Sequence, residues 1–144
     1  MRKGQPLLSI AAAVVTRITD GRLLLVRRRK PEPGLLWQHP AGGIEPGETA
    51  EQAAVREAHE EAGITVVPGV RIGERTHNWT GRHIVYVACL VVSGTAHVAA
   101  PREVAETAWI PPYLLDTYVP AAYAPVRQYL GLTPSRDTRL KSPQ

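Results

Sequence analysis

The stretch from 83 to 92, HIVYVACLVV, is apolar at almost every position. A strand with one solvated face alternates apolar and polar residues, whereas a nearly continuous apolar strand belongs in the middle of a sheet. The run is much too short for the roughly 18 residues that a membrane span requires. A chain of 144 residues with 44% hydrophobic content is about one globular domain with a real core. The expectation is therefore a central sheet with other elements packed onto it.

The flanking sequence supplies those elements. Residues 7–18 and 22–29 are rich in Leu, Val and Ile and are separated by Thr19, Asp20 and Gly21, which reads as a hairpin. The segment KPEPGLLWQHPAGG is broken by proline and glycine, leaving room for a short strand at Leu36–Gln38 at most. From Thr49, a natural N-cap, the pattern turns helical and stops at Gly63. Residues 64–79 read as a strand leading through Thr80 and Gly81 into the apolar strand, and VAETAWI (104–110) as another, ended by Pro111 and Pro112. AAYAPVRQYL suggests a last short helix entered at Pro125. Strands, helix, strands, helix imply a mixed sheet with helices packed against it. The domain is expected over 1–130, with 131–144 a polar, basic and flexible tail.

The formal net charge of +4 suits phosphate-bearing partners. The cations are spread through the chain apart from RRRK at 27–30 and the tail, so a nucleic acid polymer is not the expected partner. A lone cysteine, Cys89, excludes an internal disulfide and reads as a small buried hydrophobe. With no membrane span and no credible leader cleavage site, a cytoplasmic location is expected.

Against this basic background, REAHEEAG (56–63) crowds Glu57, Glu60 and Glu61 into about one helical turn. Carboxylates three and four residues apart repel each other. On a helix wheel they cluster opposite Val55, Ala58 and Ala62, so they are expected to face away from the core. The glycine-rich PAGGIEPGE upstream can bring backbone groups close to a ligand, and Glu48 falls where it can meet Arg56. Several hard oxygens without cysteine or paired histidine call for Mg²⁺ or Mn²⁺.

GGIEPGETAEQAAVREAHEEAGI resembles the box of the Nudix hydrolases, G-x5-E-x7-R-E-U-x-E-E-x-G-U, with U a bulky aliphatic residue. Gly42, Glu48, Arg56, Glu57, Glu60, Glu61 and Gly63 match its fixed positions, and only Ala58 departs, being small for its place. The resemblance implies an α/β/α sandwich around a mixed sheet. It also implies metal-dependent hydrolysis of a nucleoside diphosphate linked to another group. Glu57, Glu60, Glu61 and the Ala41 carbonyl would hold the metal, with Glu48 and Arg56 joining loop to helix.

The chain is further similar to the MutT-like branch of that family. LLLVRR matches a strand whose second arginine, here Arg28, meets phosphate; RHI matches a strand whose arginine, here Arg82, reaches the nucleotide. Where that branch reads guanine with an asparagine, this chain has Tyr123, which offers no paired amide donor and acceptor. The branch also has a glutamate where this chain has Ala108, so Glu103 or Glu106 becomes the candidate for that carboxylate. Trp37 and Trp79 are candidates for base stacking, and Trp109 for the core. His39, His59, His77, His83 and His97 show no ligand pairing. The expected activity is pyrophosphohydrolysis of a nucleoside triphosphate, including a modified or oxidised deoxynucleotide, by a monomer or homodimer. ADP-ribose, a nucleotide sugar or a dinucleoside polyphosphate is the alternative substrate. A non-catalytic nucleotide-binding module is the alternative of another class.

Overall fold

The computed structural model describes residues 8–32, 35–77 and 80–132. Its strands are β1 (Ile10–Thr16), β2 (Leu23–Glu32), β3 (Leu35–Gln38), β4 (Ala41–Gly43), β5 (Thr65–Thr76), β6 (His83–Ser93) and β7 (Val104–Ile110). The helices are α1 (Ala50–Ala62), α2 (Leu115–Tyr118) and α3 (Ala124–Tyr129). The strand order is β3-β2-β1-β6-β5, with β4 added to β1 and β7 to β2.

The apolar strand read from sequence is β6, and it lies between β1 and β5. It pairs with β1 in parallel from Ile10↔Ile84 to Thr16↔Leu90 and with β5 in antiparallel. The hairpin turns at Gly21, whose φ of +70° is reached without the Cβ strain other residues meet. β1 and β2 pair only at Thr16↔Leu23 and then separate. β4 takes the freed edge of β1, from Ile10↔Gly43 to Ala12↔Ala41, while β7 takes that of β2. The glycine-rich segment thereby enters the sheet at the opening.

Alternation along β1 builds two cores. Ala11, Ala13 and Val15 pack with Leu24, Val87 and Cys89 beneath Ala53, Ala54, Ala58 and Ala62 of α1. Ala12 and Val14 face the other way and pack with Leu23, Leu25, Tyr86, Leu115 and Val126. Helices thus cover both faces of a mixed sheet.

Three features of the fold differ from the expectations, the first being β4, a second strand in the segment read as loop with one short strand at most, formed because the freed edge of β1 takes it as a partner. Pro111 and Pro112 do more than end β7: a 3-10 turn at Pro112–Leu114 runs into α2, because proline is well suited to a first helical position. Val55 is half-buried, so the helix face opposite the carboxylates is centred on the alanines. Residues 133–144, most of the expected tail, and Asn78 and Trp79 lie outside the described residues.

Candidate active site

Helix α1 is fixed at both ends by local chemistry. The Thr49 side chain accepts from the Gln52 amide at 3.0 Å, and the Gln52 side chain accepts from the Thr49 amide at 2.9 Å. This reciprocal pair is the capping box. At the other end Gly63 adopts φ +70°, and a Cβ there would fall 2.1 Å from the His97 ring. Glycine is required twice over, by the left-handed turn and by the close approach of His97.

Between these caps Arg56 ties the helix to the loop. Its guanidinium donates to both Glu48 carboxylate oxygens at 2.8 and 2.9 Å and to the Gly43 carbonyl at 2.8 Å. A third direction reaches Glu57 Oε2 at 2.7 Å, and a longer contact of 3.4 Å reaches Glu60. Such planar, multidentate recognition is specific to arginine. The guanidinium beside Glu48 holds that carboxyl down to about 2, with the Glu45 amide, at 3.0 Å, assisting.

The carboxylates do not all face solvent as the helix wheel suggests. Glu57 is 7% exposed and Glu61 4%, because β4 closes over them. Only the Glu60 side chain is open, at 54%. Helical periodicity places side chains around an axis but carries no information about a loop laid across one flank. The Glu57 carboxylate occupies the space above Gly42, where a Cβ would stand 2.2 Å from its carbon. Burial pushes the Glu61 carboxyl up to about 9, and hydrogen bonding to Glu57 and that neighbour's charge push the same way. Burial also raises Glu57, against the opposing pull of Glu61 and Arg56. Two buried hard-oxygen side chains with less positive charge than they need make a pair that would accept a cation.

Beside this pair opens a cleft of about 260 Å³, lined by Glu61, Ala41, Arg28, Glu103 and the apolar Val26 and Val104, among others. Arg28 and Glu103, far apart in sequence, meet there because β2 and β7 pair at Arg28↔Val104. Glu106 points elsewhere and pairs with Arg27 at 3.0 Å. The same cleft contains Lys30 and Arg102, which sequence reasoning did not single out. The RRRK run was the available signal for Lys30; nothing local marked Arg102.

The three substrate-binding candidates other than Arg28 lie away from the cleft lining. Tyr123 belongs to the core on the far face of the sheet from α1. Its ring stacks on Tyr86 at 4.7 Å, its hydroxyl donates to the Glu74 carbonyl at 2.9 Å, and Arg75 lies 4.8 Å from its centroid. Trp37 packs on the same face, edge-on to Tyr118 at 5.3 Å. Arg82 donates to the Leu8 carbonyl at 2.8 and 3.2 Å. Near these rings, burial and the Arg75 charge lower the His39 ring to about 4, keeping it neutral. Trp109 packs against the α1-side core with Arg17 4.3 Å over its ring.

Known proteins resemble the chain in sequence and in fold. An 8-oxo-dGTP diphosphatase of Proteus vulgaris is 36% identical over 84 residues, spanning 58% of this chain and 75% of that protein. An RNA pyrophosphohydrolase of Serratia proteamaculans (strain 568) is 58% identical over 60 residues, 42% of this chain. The chain spans about a third of the length of that protein. The crystal structure of the MutT protein from Methanosarcina mazei Go1 superposes with a TM-score of 0.67 at 22% identity. That match covers 98% of this chain and 100% of the other, and at this identity it speaks for the fold alone. The model of the NUDIX domain matches residues 7–130, a range that takes in every strand and helix described above, and the chain belongs to the Nudix hydrolase family.

Proposed function

We propose that this hydrolase cleaves the phosphate chain of a nucleoside triphosphate, oxidised or otherwise modified deoxynucleotides included, with Mg²⁺ as cofactor and Mn²⁺ as a substitute. The observation that carries the reading is the buried Glu57–Glu61 pair beside a cation-lined cleft. Nudix hydrolases are in general dependent on divalent metal, and the donors here suit one: they are hard oxygens, and Glu57 and Glu61 are buried and short of positive charge. Glu57, Glu60, Glu61 and the Ala41 carbonyl would hold it. The chemistry such a cation supplies is Lewis acidity toward phosphate oxygens and water.

The chain's own residues do the rest. Arg56 and Glu48 keep the loop registered on the helix, so the carboxylates and the β4 carbonyls stay in one arrangement. Arg28 attracts phosphate oxygens to the cleft. Glu103, on its rim, is the carboxylate available to accept a proton. Arg82, Trp37 and Tyr123 are the candidates for sugar and base. We assign the protein to the cytoplasm as a monomer or homodimer; no helix among the described residues is long and apolar enough to cross a membrane.

The test is a panel of nucleoside triphosphates, oxidised nucleotides, ADP-ribose and nucleotide sugars with Mg²⁺, reading released phosphate or pyrophosphate. Turnover of triphosphates that disappears with EDTA and returns with Mg²⁺ or Mn²⁺ is the expected result. Preferred cleavage of ADP-ribose or a sugar nucleotide would overturn the substrate, and no turnover at all would overturn the activity.

The same panel reports on base selectivity. The Tyr123 hydroxyl proton is already donated to Glu74, so a base meets a ring there and not a paired amide edge. Stacking is open to every base, whereas a hydrogen-bonded edge rejects mismatches by large factors. The preference for 8-oxo-dGTP over dGTP, dATP and dCTP in kcat/KM is therefore expected to stay below about a thousandfold. A larger preference would mean that another group reads the base.

A further inference from the structure

Two of the cations in the cleft have no part in the reading above. Side chains alternate along β2, so Val26, Arg28 and Lys30 line the cleft. Arg27 instead pairs with Glu106, and Arg29 donates to the Pro101 carbonyl at 3.0 Å. This alternation accounts for the RRRK run as two sets of cations with different tasks. Arg102 joins Arg28 and Lys30 from the turn before β7. That turn is held to β2 by the Arg29 amide, which donates to the Glu103 carbonyl at 2.8 Å. Neither Lys30 nor Arg102 makes an ion pair with a carboxylate among the described residues.

A phosphate inside a diphosphate diester carries a single negative charge. A terminal phosphate carries about −1.5 to −2 at pH 7 and presents three acceptor oxygens. A guanidinium fork and an ammonium on one wall match that group well. We infer that Lys30 and Arg102 bind the terminal phosphate of a triphosphate chain, making the cleft selective for nucleoside triphosphates over diphosphates capped at both ends. The inference rests on the proposal that the phosphate chain lies in this cleft.

The full chain, with Mg²⁺ present, is titrated calorimetrically with inorganic tripolyphosphate and with ADP-ribose, a diphosphate capped at both ends. Lys30→Ala and Arg102→Ala should each weaken tripolyphosphate by about tenfold or more, a typical loss for a charge-assisted contact. ADP-ribose, whose diphosphate has no terminal phosphate, should weaken less than about threefold. Arg102→Lys should recover part of the loss. Arg27→Ala removes the same charge outside the cleft and should bind both ligands as the wild type does.

Equal weakening of both ligands, no weakening, an equally large effect of Arg27→Ala, or a wild type that binds neither ligand would overturn the inference. The nucleotide panel separates it from the hydrolase reading. Selective tripolyphosphate binding without nucleotide turnover refutes the activity and keeps the cleft assignment. Triphosphate turnover with unaltered Lys30→Ala and Arg102→Ala binding refutes the cleft assignment alone.

Discussion

Glu61→Gln is expected to lower kcat/KM at least about a hundredfold, roughly 2.7 kcal/mol of transition-state stabilisation, while making the metal-free protein more stable at pH 8. The two effects come from one carboxyl. Its pKa in the folded chain is about 9, against an ordinary 4.5, because it is buried beside Glu57. The folded state therefore holds a proton that the unfolded state gives up. Stability from this group is complete below about pH 4.5 and is lost as the pH rises toward about 9. Thermal melts of the wild type in EDTA should thus fall in Tm from pH 7 to pH 9, above the range in which His39, buried and neutral, adds stability with rising pH. The glutamine variant, which has no such proton to lose, should follow a flatter curve. Added Mg²⁺ should raise the wild-type Tm most at the alkaline end, and that of the variant less. A variant with wild-type turnover, or with the wild-type slope in EDTA, would refute the role of this carboxyl.

Gly42→Ala should be nearly as damaging, through geometry alone. Gly42 is not among the residues of positive φ, so alanine strains no backbone. Its Cβ, however, would lie 2.2 Å from the Glu57 Cδ and Oε2 and 2.6 Å from Oε1. What gives way is the end of a flexible side chain, so the carboxylate swings out and the contact with Arg56 at 2.7 Å is lost. Overpacking of this kind costs about 1–3 kcal/mol, which a domain of this size survives as a folded protein. The expected outcome is a loss of kcat/KM of about a hundredfold with circular dichroism unchanged and Tm lowered by a few degrees. Near-wild-type turnover would mean that the observed position of Glu57 is not the working one.

What was legible in the sequence was what neighbours in the chain decide. Thr49 and Gly63 announce the limits of α1 because caps act over three or four residues. The central place of β6 follows from its composition, since few sequences tolerate burial on both faces. The parallel pairing of β1 with β6 was not legible, because it joins segments separated by most of the domain. For the same reason the burial of Glu57 and Glu61 escaped the helix wheel: β4, which covers them, reaches its position by pairing with β1. Glu103 and Glu106 looked equivalent in the stretch REVAETAW. The irregularity between Arg27 and Arg28 in the β2–β7 pairing accompanies their separation, leaving one at the cleft and one in a surface ion pair.

On the helix side the contact between α1 and the sheet is made largely of alanines, Ala53, Ala54, Ala58 and Ala62, in one core with Ala11, Ala13, Val15, Leu24 and Val87 of the sheet. Methyl groups have no rotamers to adjust, so this seam acts as a mechanical stop. The height of the helix is set by hard contact, and the carboxylates inherit it as fixed offsets from Gly42. A larger residue at Ala58, such as the bulky aliphatic usual in the family, would act as a shim under the whole rod and not as a local insertion. Every carboxylate would rise together, and the spacing between loop and helix would drift without any one of them being touched. In this chain the tolerance of the carboxylate spacing is therefore a property of its least reactive side chains.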